Sequence, residues 1–147
     1  MAESIEERAE RNDPEALKLL GEQRLGEGDT EGAKKYLFLA MQLGNTTACH
    51  PLGKLYLAAG DTDKAIAAFS EGHRSGDEQS SYSLAEALLK RGDQNALAYI
   101  TEYANEDDET SIRLLFDYYA AAGNQKQADY WKSRLKAVCG ARDGEDD

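Results

Sequence analysis

The sequence predicts an all-α protein, a solenoid of about four helix-turn-helix repeats. Two observations lead to this fold class: helix preference along the whole chain, and one pattern of residues that recurs at a nearly constant interval. The 147 residues include only 2 prolines and no run of alternating Val, Ile or Thr that would mark a strand, whereas good helix formers are plentiful. A chain of this length normally makes one domain, so the repeats are expected to share a continuous core.

The recurring pattern is a Leu-Gly pair followed by a Gly-Asp turn. Self-similarity at a fixed interval is typical of a repeat architecture, in which each unit stacks on its neighbours. Four copies follow one another at offsets of 32, 32 and 31 residues: Leu20-Gly21 with Gly28-Asp29, Leu52-Gly53 with Gly60-Asp61, Leu84-Ala85 with Gly92-Asp93, and Leu115-Phe116 with Gly123-Asn124.

A short capping helix is expected ahead of the repeats. Ser4 and Glu7 have the spacing of a capping box, which predicts a helix over residues 4–12 that covers the first repeat. Asp13-Pro14 then starts the first full helix, with the carboxylate as N-cap and proline at the first helical position. We therefore assign residues 1–12 to the capping helix, 13–139 to the repeat domain and 140–147 to an acidic disordered tail.

Each repeat is expected to contain two helices separated by the glycine turn. The glycine can take the left-handed backbone that ends a helix, and the Asp or Asn after it can cap the next one. Gly21 and Gly53 lie inside first helices, where glycine is unfavourable, so they predict a close approach of the two helices. The predicted first helices span 14–27, 47–59, 79–91 and 109–122, and the second helices span 30–43, 62–74, 94–104 and 125–139.

The charge balance argues against nucleic acid and membranes as direct ligands. The 17 Lys and Arg against 28 Asp and Glu give a formal net charge of −11, which repels phosphate backbones and anionic lipid. The first residues lack the apolar core of a signal peptide, and nowhere do about 18 apolar residues run together. These features predict a cytoplasmic protein, in which Cys49 and Cys139 are expected to stay reduced.

The second repeat resembles the tetratricopeptide-repeat superfamily. The run Leu52-Gly53-x-x-Tyr56-x-x-x-Gly60-Asp61-x-x-x-Ala65-x-x-x-Phe69 follows that family's pattern almost position by position, and Ala40, Gly44 and Ala48 ahead of it resemble the Sel-one-like branch. Departures are the short interval of 31–32 residues, and Ala85 and Phe116 at the small position of Gly53. The resemblance covers residues 13–139 and implies a right-handed α-α superhelix whose first helices line a concave groove for a peptide or protein surface.

The resemblance also implies which side chains face the groove. They form two columns, one turn apart on the same face of the first helices: the first column is Lys18, His50, Tyr82 and Arg113, and the second column is Glu22, Lys54, Glu86 and Asp117. Such groups could bind a mixed-charge or acidic segment through charge-assisted hydrogen bonds. The simpler interpretation is that Lys18 with Glu22, and Arg113 with Asp117, form ordinary ion pairs on a solvated surface.

The expected function is a non-enzymatic adaptor that binds a protein or peptide and needs no cofactor or metal. The two histidines, His50 and His73, lack the spacing of metal ligands on one helix face, and no phosphate loop, nucleophile elbow or paired-cysteine zinc spacing occurs. A second hypothesis is an acidic decoy or inhibitor that covers a basic surface; the acidic residues 106–109 would belong to it or to a solvated turn. A repeat-fold enzyme and weak self-association through the solenoid ends are further alternatives.

Overall fold

The computed structural model describes residues 2–145, which form nine α-helices and one 3-10 turn and contain no strand. The all-α prediction is confirmed, and the predicted repeat helices differ from the observed ones by at most two residues at either end, apart from the end of the last helix. The elements are α1 Ile5–Glu10, α2 Pro14–Gly26, α3 Thr30–Gln42, the 3-10 turn Thr46–Ala48, α4 Cys49–Ala58, α5 Thr62–Arg74, α6 Glu78–Lys90, α7 Gln94–Asn105, α8 Glu109–Ala121 and α9 Gln125–Glu145.

Helix α9 is longer than the sequence analysis expected. It was predicted to end at residue 139 and to be followed by a disordered tail from 140, but the helix continues to Glu145. Gly140 does not take the positive φ of the turn glycines, so the helix runs through it. The prediction for Asp146 and Asp147 lies outside the described residues.

One turn geometry joins consecutive helices throughout residues 2–145. A residue with positive φ ends each helix, and the Asp or Asn directly after it donates its amide hydrogen to the carbonyl five residues earlier. The side chain of the same Asp or Asn accepts a hydrogen bond from an amide of the following helix or 3-10 turn. The positive-φ residues are Asn12, Gly28, Gly44, Gly60, Gly76, Gly92, Asp107 and Gly123.

The contacts divide the chain into a first unit, residues 1–84, and a second unit, residues 85–147, with the division inside α6. In the first unit, α1 packs on α2, α2 on α3, α3 on α4 and α4 on α5; in the second unit, α7 packs on α8 and α8 on α9. The helices in extensive contact are thus neighbours in sequence. No helix within residues 2–145 is both long and apolar enough to cross a membrane.

The core of the first unit depends on two glycines that lack a side chain where a partner helix approaches. A Cβ built at Gly21 would lie 2.7 Å from Cγ of Leu37, and one built at Gly53 would lie 2.3 Å from a ring carbon of Phe69. Leu37 and Phe69 are both fully buried. The predicted close approach of paired helices is therefore confirmed, and it recurs after 32 residues.

The core of the second unit contains bulky side chains from α8 and α9. Ile112 and Leu115 of α8 are fully buried, and Trp131 of α9 is 3% exposed, as its predicted core position requires. Phe116, which replaces the small residue of the first two repeats, is half-buried, and α8 is nevertheless continuous from Glu109 to Ala121. A bulky ring at this position is thus compatible with a regular helix.

Replacing Gly60 by Ala is expected to lower the free energy of unfolding by about 1 kcal/mol, because an L-residue is disfavoured at positive φ. Gly60 has φ 80°, and no described atom lies within 4 Å of its built Cβ, so the loss is purely conformational. The matched control is Gly26→Ala, at a helical glycine that is equally open. Urea denaturation followed by far-UV circular dichroism should give Gly60→Ala a lower free energy of unfolding than the wild type, and Gly26→Ala an equal or higher one. The reverse order would contradict the turn assignment.

Replacing Gly53 by Ala is expected to destabilise by about 1–3 kcal/mol because the added methyl group overlaps the Phe69 ring. Adding Phe69→Leu should recover part of that loss by removing the ring that is struck. The measurement is a double-mutant cycle in urea. Additive effects of Gly53→Ala and Phe69→Leu would show that the two residues are not in contact.

Candidate partner-binding surface

The eight column residues all lie on the helices that the sequence analysis named as first helices. Helices α2, α4, α6 and α8 each carry one residue of the first column and, four positions later, one residue of the second column. Positions four apart on a helix lie on the same face, so the two members on each helix are neighbours. The geometry within each unit shows what these side chains contact.

On α2 the two columns are joined by an ion pair. Lys18 Nζ lies 3.5 Å from a carboxylate oxygen of Glu22, and the side chains are 21% and 48% exposed, respectively. The expected pair is therefore present, with Lys18 recessed and Glu22 outward. Pairs of this kind on a helix surface contribute about 0.3–0.5 kcal/mol, so a ligand carboxylate could replace Glu22 at little cost.

His50 on α4 is more constrained than its groove assignment implied. Its side chain is half-buried, Nε2 lies 3.1 Å from Oγ of Ser83 on α6, and its ring centroid is 5.9 Å from that of Phe69. Burial, together with the nearby Lys54 cation, lowers the pKa of His50, while the Asp77 carboxylate opposes them. His50 therefore acts mainly as a neutral link between α4 and α6.

Lys54, four residues after His50, is exposed and forms no ion pair with any described residue. Tyr82, on the part of α6 that belongs to the first unit, is half-buried. The first unit thus presents Lys54 as an unpaired cation one turn after the recessed ring of His50. This arrangement suits a ligand that brings a carboxylate and some apolar surface.

In the second unit the expected pair of Arg113 with Asp117 is replaced by another. Arg113 Nη2 lies 2.9 Å from Glu109, one turn earlier on α8. An acid placed four residues before a base is the favoured order on a helix, and Arg113 with Asp117 has the reverse order. Glu86 of α6 follows the favoured order with Lys90, at 3.5 Å, whereas Asp117 is exposed and makes no ion pair with the described residues.

The groups that could suggest catalysis are buried or already hydrogen-bonded. Cys49 is fully buried, and burial with the carboxylates of Glu71 and Asp77 raises the pKa of its thiol, which disfavours the reactive thiolate. The hydroxyl of Ser81 donates to the Asp77 carbonyl at 3.0 Å and lies 2.7 Å from Nδ1 of His73, so its hydrogen is already engaged. Among the described residues, no three His, Cys, Asp or Glu side chains are grouped to hold a metal ion.

A cleft of about 390 Å³ lies between α1, α2 and α3 in the first unit. Leu17 and Leu20 contribute apolar surface, and Arg24 and Lys35 are its basic residues. Both cations are already engaged: Arg24 pairs with Glu27 at 3.1 Å, and Lys35 lies 5.6 Å from the ring centroid of Tyr36. The cleft therefore offers less unpaired positive charge to a ligand than Lys54 does.

Exposed tyrosines on the second helices of the second unit were not predicted from the sequence. Tyr99 and Tyr103 of α7 are 59% and 43% exposed, and Tyr130 of α9 is 49% exposed. The spacing of Tyr99 and Tyr103 already places them on one helix face. Their exposure, however, depends on which side of α7 is buried, and the structure shows Ile100 and Ala104 on the buried side.

The pKa of the His50 imidazole is expected to lie below its ordinary value of about 6.5, because burial and Lys54 both disfavour the charged ring. Since the folded-state pKa is lowered, the unfolded chain binds more protons, and stability should fall as pH drops below about 6.5. Proton NMR titration of a His73→Gln variant, which keeps a single imidazole, measures the pKa directly. A midpoint at or above 6.5 would contradict the environment described for His50.

Comparison of the sequence with protein-family models gives no match, and a search of curated proteins finds no match either. The tetratricopeptide resemblance therefore stays an interpretation of the residues quoted above. The helix lengths and the contacts between sequential helices in the described residues agree with that interpretation.

Proposed function

We propose that this chain is a non-enzymatic adaptor that binds a peptide or a protein surface in a groove lined by its first helices. The proposal takes the helices to stack as a right-handed superhelix of about four tetratricopeptide-like repeats. Two observations support such stacking: the identical turns that recur along residues 2–145, and the contacts between sequential helices within each unit. Repeat proteins of this kind commonly use extended concave surfaces for binding.

The observation that carries the proposal is the difference in exposure between the two columns of the first unit. Lys18, His50 and Tyr82 of the first column are all half-buried, whereas Glu22 and Lys54 of the second column are exposed. A recessed line of polar side chains beside an exposed line is the arrangement expected for the floor and the rim of a groove. A simple solvated helix face would expose both lines alike.

The ligand best suited to these columns is a mixed-charge or acidic peptide segment. Lys54 is unpaired and can accept a carboxylate, while Lys18 and Arg113 are held only by surface ion pairs that a ligand carboxylate can replace. Asp117 offers a complementary acceptor for a basic side chain in the second unit. Because the net charge is −11, nucleic acid and anionic membranes are poor partners, and we propose a cytoplasmic protein partner.

The test is quantitative affinity capture from the source cell with the full chain as bait. A triple reversal, Lys18→Glu, Lys54→Glu and Arg113→Glu, should reduce the recovery of specific partners at least tenfold, because it removes the cations of both columns. The control triple, Lys35→Glu, Arg74→Glu and Lys132→Glu, makes the same change in charge on the second helices α3, α5 and α9.

Circular dichroism must show unchanged helix content in both triples for the comparison to count. Equal losses of partner recovery in the two triples would show that the effect follows from net charge alone. Unchanged recovery with the column triple would refute the groove.

A further inference from the structure

Two tyrosines of α7 form an exposed aromatic pair. The ring centroids of Tyr99 and Tyr103 are 4.7 Å apart, their planes are inclined by 53°, and the hydroxyl of Tyr99 donates to that of Tyr103 at 3.2 Å. Neither ring belongs to the core, since Ile100 and Ala104 supply the buried side of this helix. The pair therefore exposes aromatic ring surface to solvent, and the negative potential over ring faces attracts cations.

The charge around this pair is acidic and only partly neutralised. Residues 94–109 contain five carboxylates and no Lys or Arg. Three of the five are engaged: Asp107 pairs with Arg134, Asp108 caps α8 through Ser111, and Glu109 pairs with Arg113.

The other two carboxylates flank the tyrosine pair. Glu102 and Glu106 make no ion pair with the described residues. Glu102 lies three residues after Tyr99 on the same face of α7, and Glu106 is the C-cap residue of the helix, three residues after Tyr103. The pKa of the Tyr103 phenol is raised, chiefly by its hydrogen-bonded neighbour Tyr99, with desolvation and the charges of Glu106 and Glu102 as smaller causes.

A related contact occurs on α9, where a tyrosine holds an arginine through its hydroxyl rather than through its ring. The guanidinium of Arg134 on α9 lies between the Asp107 carboxylate and the hydroxyl of Tyr130, to which it donates at 3.1 Å. A tyrosine and a carboxylate thus already hold one arginine in this unit. Arg134 is already paired with Asp107, so it does not neutralise Glu102 or Glu106.

We propose that Tyr99, Glu102, Tyr103 and Glu106, the tyrosine face, dock arginine side chains of a basic segment in a partner protein. The planar guanidinium can stack on a tyrosine ring while its N–H groups bond a carboxylate, which an ammonium group does less well. Charge complementarity selects this occupant, since the face combines two exposed rings with two unpaired carboxylates. The tyrosine face is on a second helix and does not depend on the groove, and it gives the decoy hypothesis a specific location.

The test uses fluorescein-labelled hexa-arginine as the probe, titrated with the full chain at 150 mM NaCl and followed by fluorescence anisotropy. Tyr99→Leu with Tyr103→Leu keeps apolar bulk but removes the π faces, and should weaken binding by about five- to thirtyfold. Tyr99→Phe with Tyr103→Phe keeps the rings and should stay within about threefold of the wild type.

A charge-matched pair of variants separates the tyrosine face from the general acidity of the chain. Glu102→Gln with Glu106→Gln should weaken binding at least threefold. Glu10→Gln with Glu78→Gln removes two exposed carboxylates of the first unit and should change affinity less than twofold. Equal effects of the two charge pairs, or full affinity in the leucine variant, would overturn the proposal, as would absence of probe binding to the wild type.

Sedimentation velocity tests a second copy of this chain as the alternative occupant. The wild type is expected to have the same sedimentation coefficient as the leucine variant across concentrations. If the wild type dimerised and the leucine variant stayed monomeric, the tyrosine face would be assigned to self-association and the arginine proposal would be overturned.

Discussion

The whole arrangement depends on how each helix stops. A residue at positive φ, followed directly by Asp or Asn, ends one helix through an amide bond to the carbonyl five residues earlier and caps the next element with its side chain. Helices of about 13 residues are marginal alone, so their ends must be specified locally before packing can stabilise them. Because the same turn joins consecutive helices throughout residues 2–145, the backbone follows a similar path from each helix to the next.

Close packing at the glycines then decides which faces of the first helices stay available. Gly21 against Leu37 and Gly53 against Phe69 bury one side of α2 and α4. The residues directly after these glycines, Glu22 and Lys54, are consequently exposed. The small residue that draws two helices together thus also positions the polar side chain beside it, which links the core of the first unit to its candidate binding surface.

Most helix boundaries could be predicted from the sequence, because Gly-Asp and Gly-Asn pairs at a nearly constant interval mark helix ends through local backbone chemistry. No comparable signal marked Asp107, which takes φ 65° without being glycine, or distinguished Gly140, which stays helical inside α9, from the turn glycines. For the candidate site, spacing placed the column residues on the right helices. Spacing could not predict their contact partners, because a contact such as that of His50 with Ser83 spans 33 residues and depends on tertiary packing.

Net acidity and local recognition are separate properties of this surface. The formal charge of −11 describes the field far from the protein, where salt screens it within about 10 Å. At contact, the state of each group matters more: Lys54 is an unpaired cation beside a neutral His50, whereas Glu102 and Glu106 are unpaired carboxylates beside two tyrosine rings. We therefore propose an acidic ligand for the surface at α4 and a basic one for the surface at α7, since each surface has charged groups without a counter-ion among the described residues.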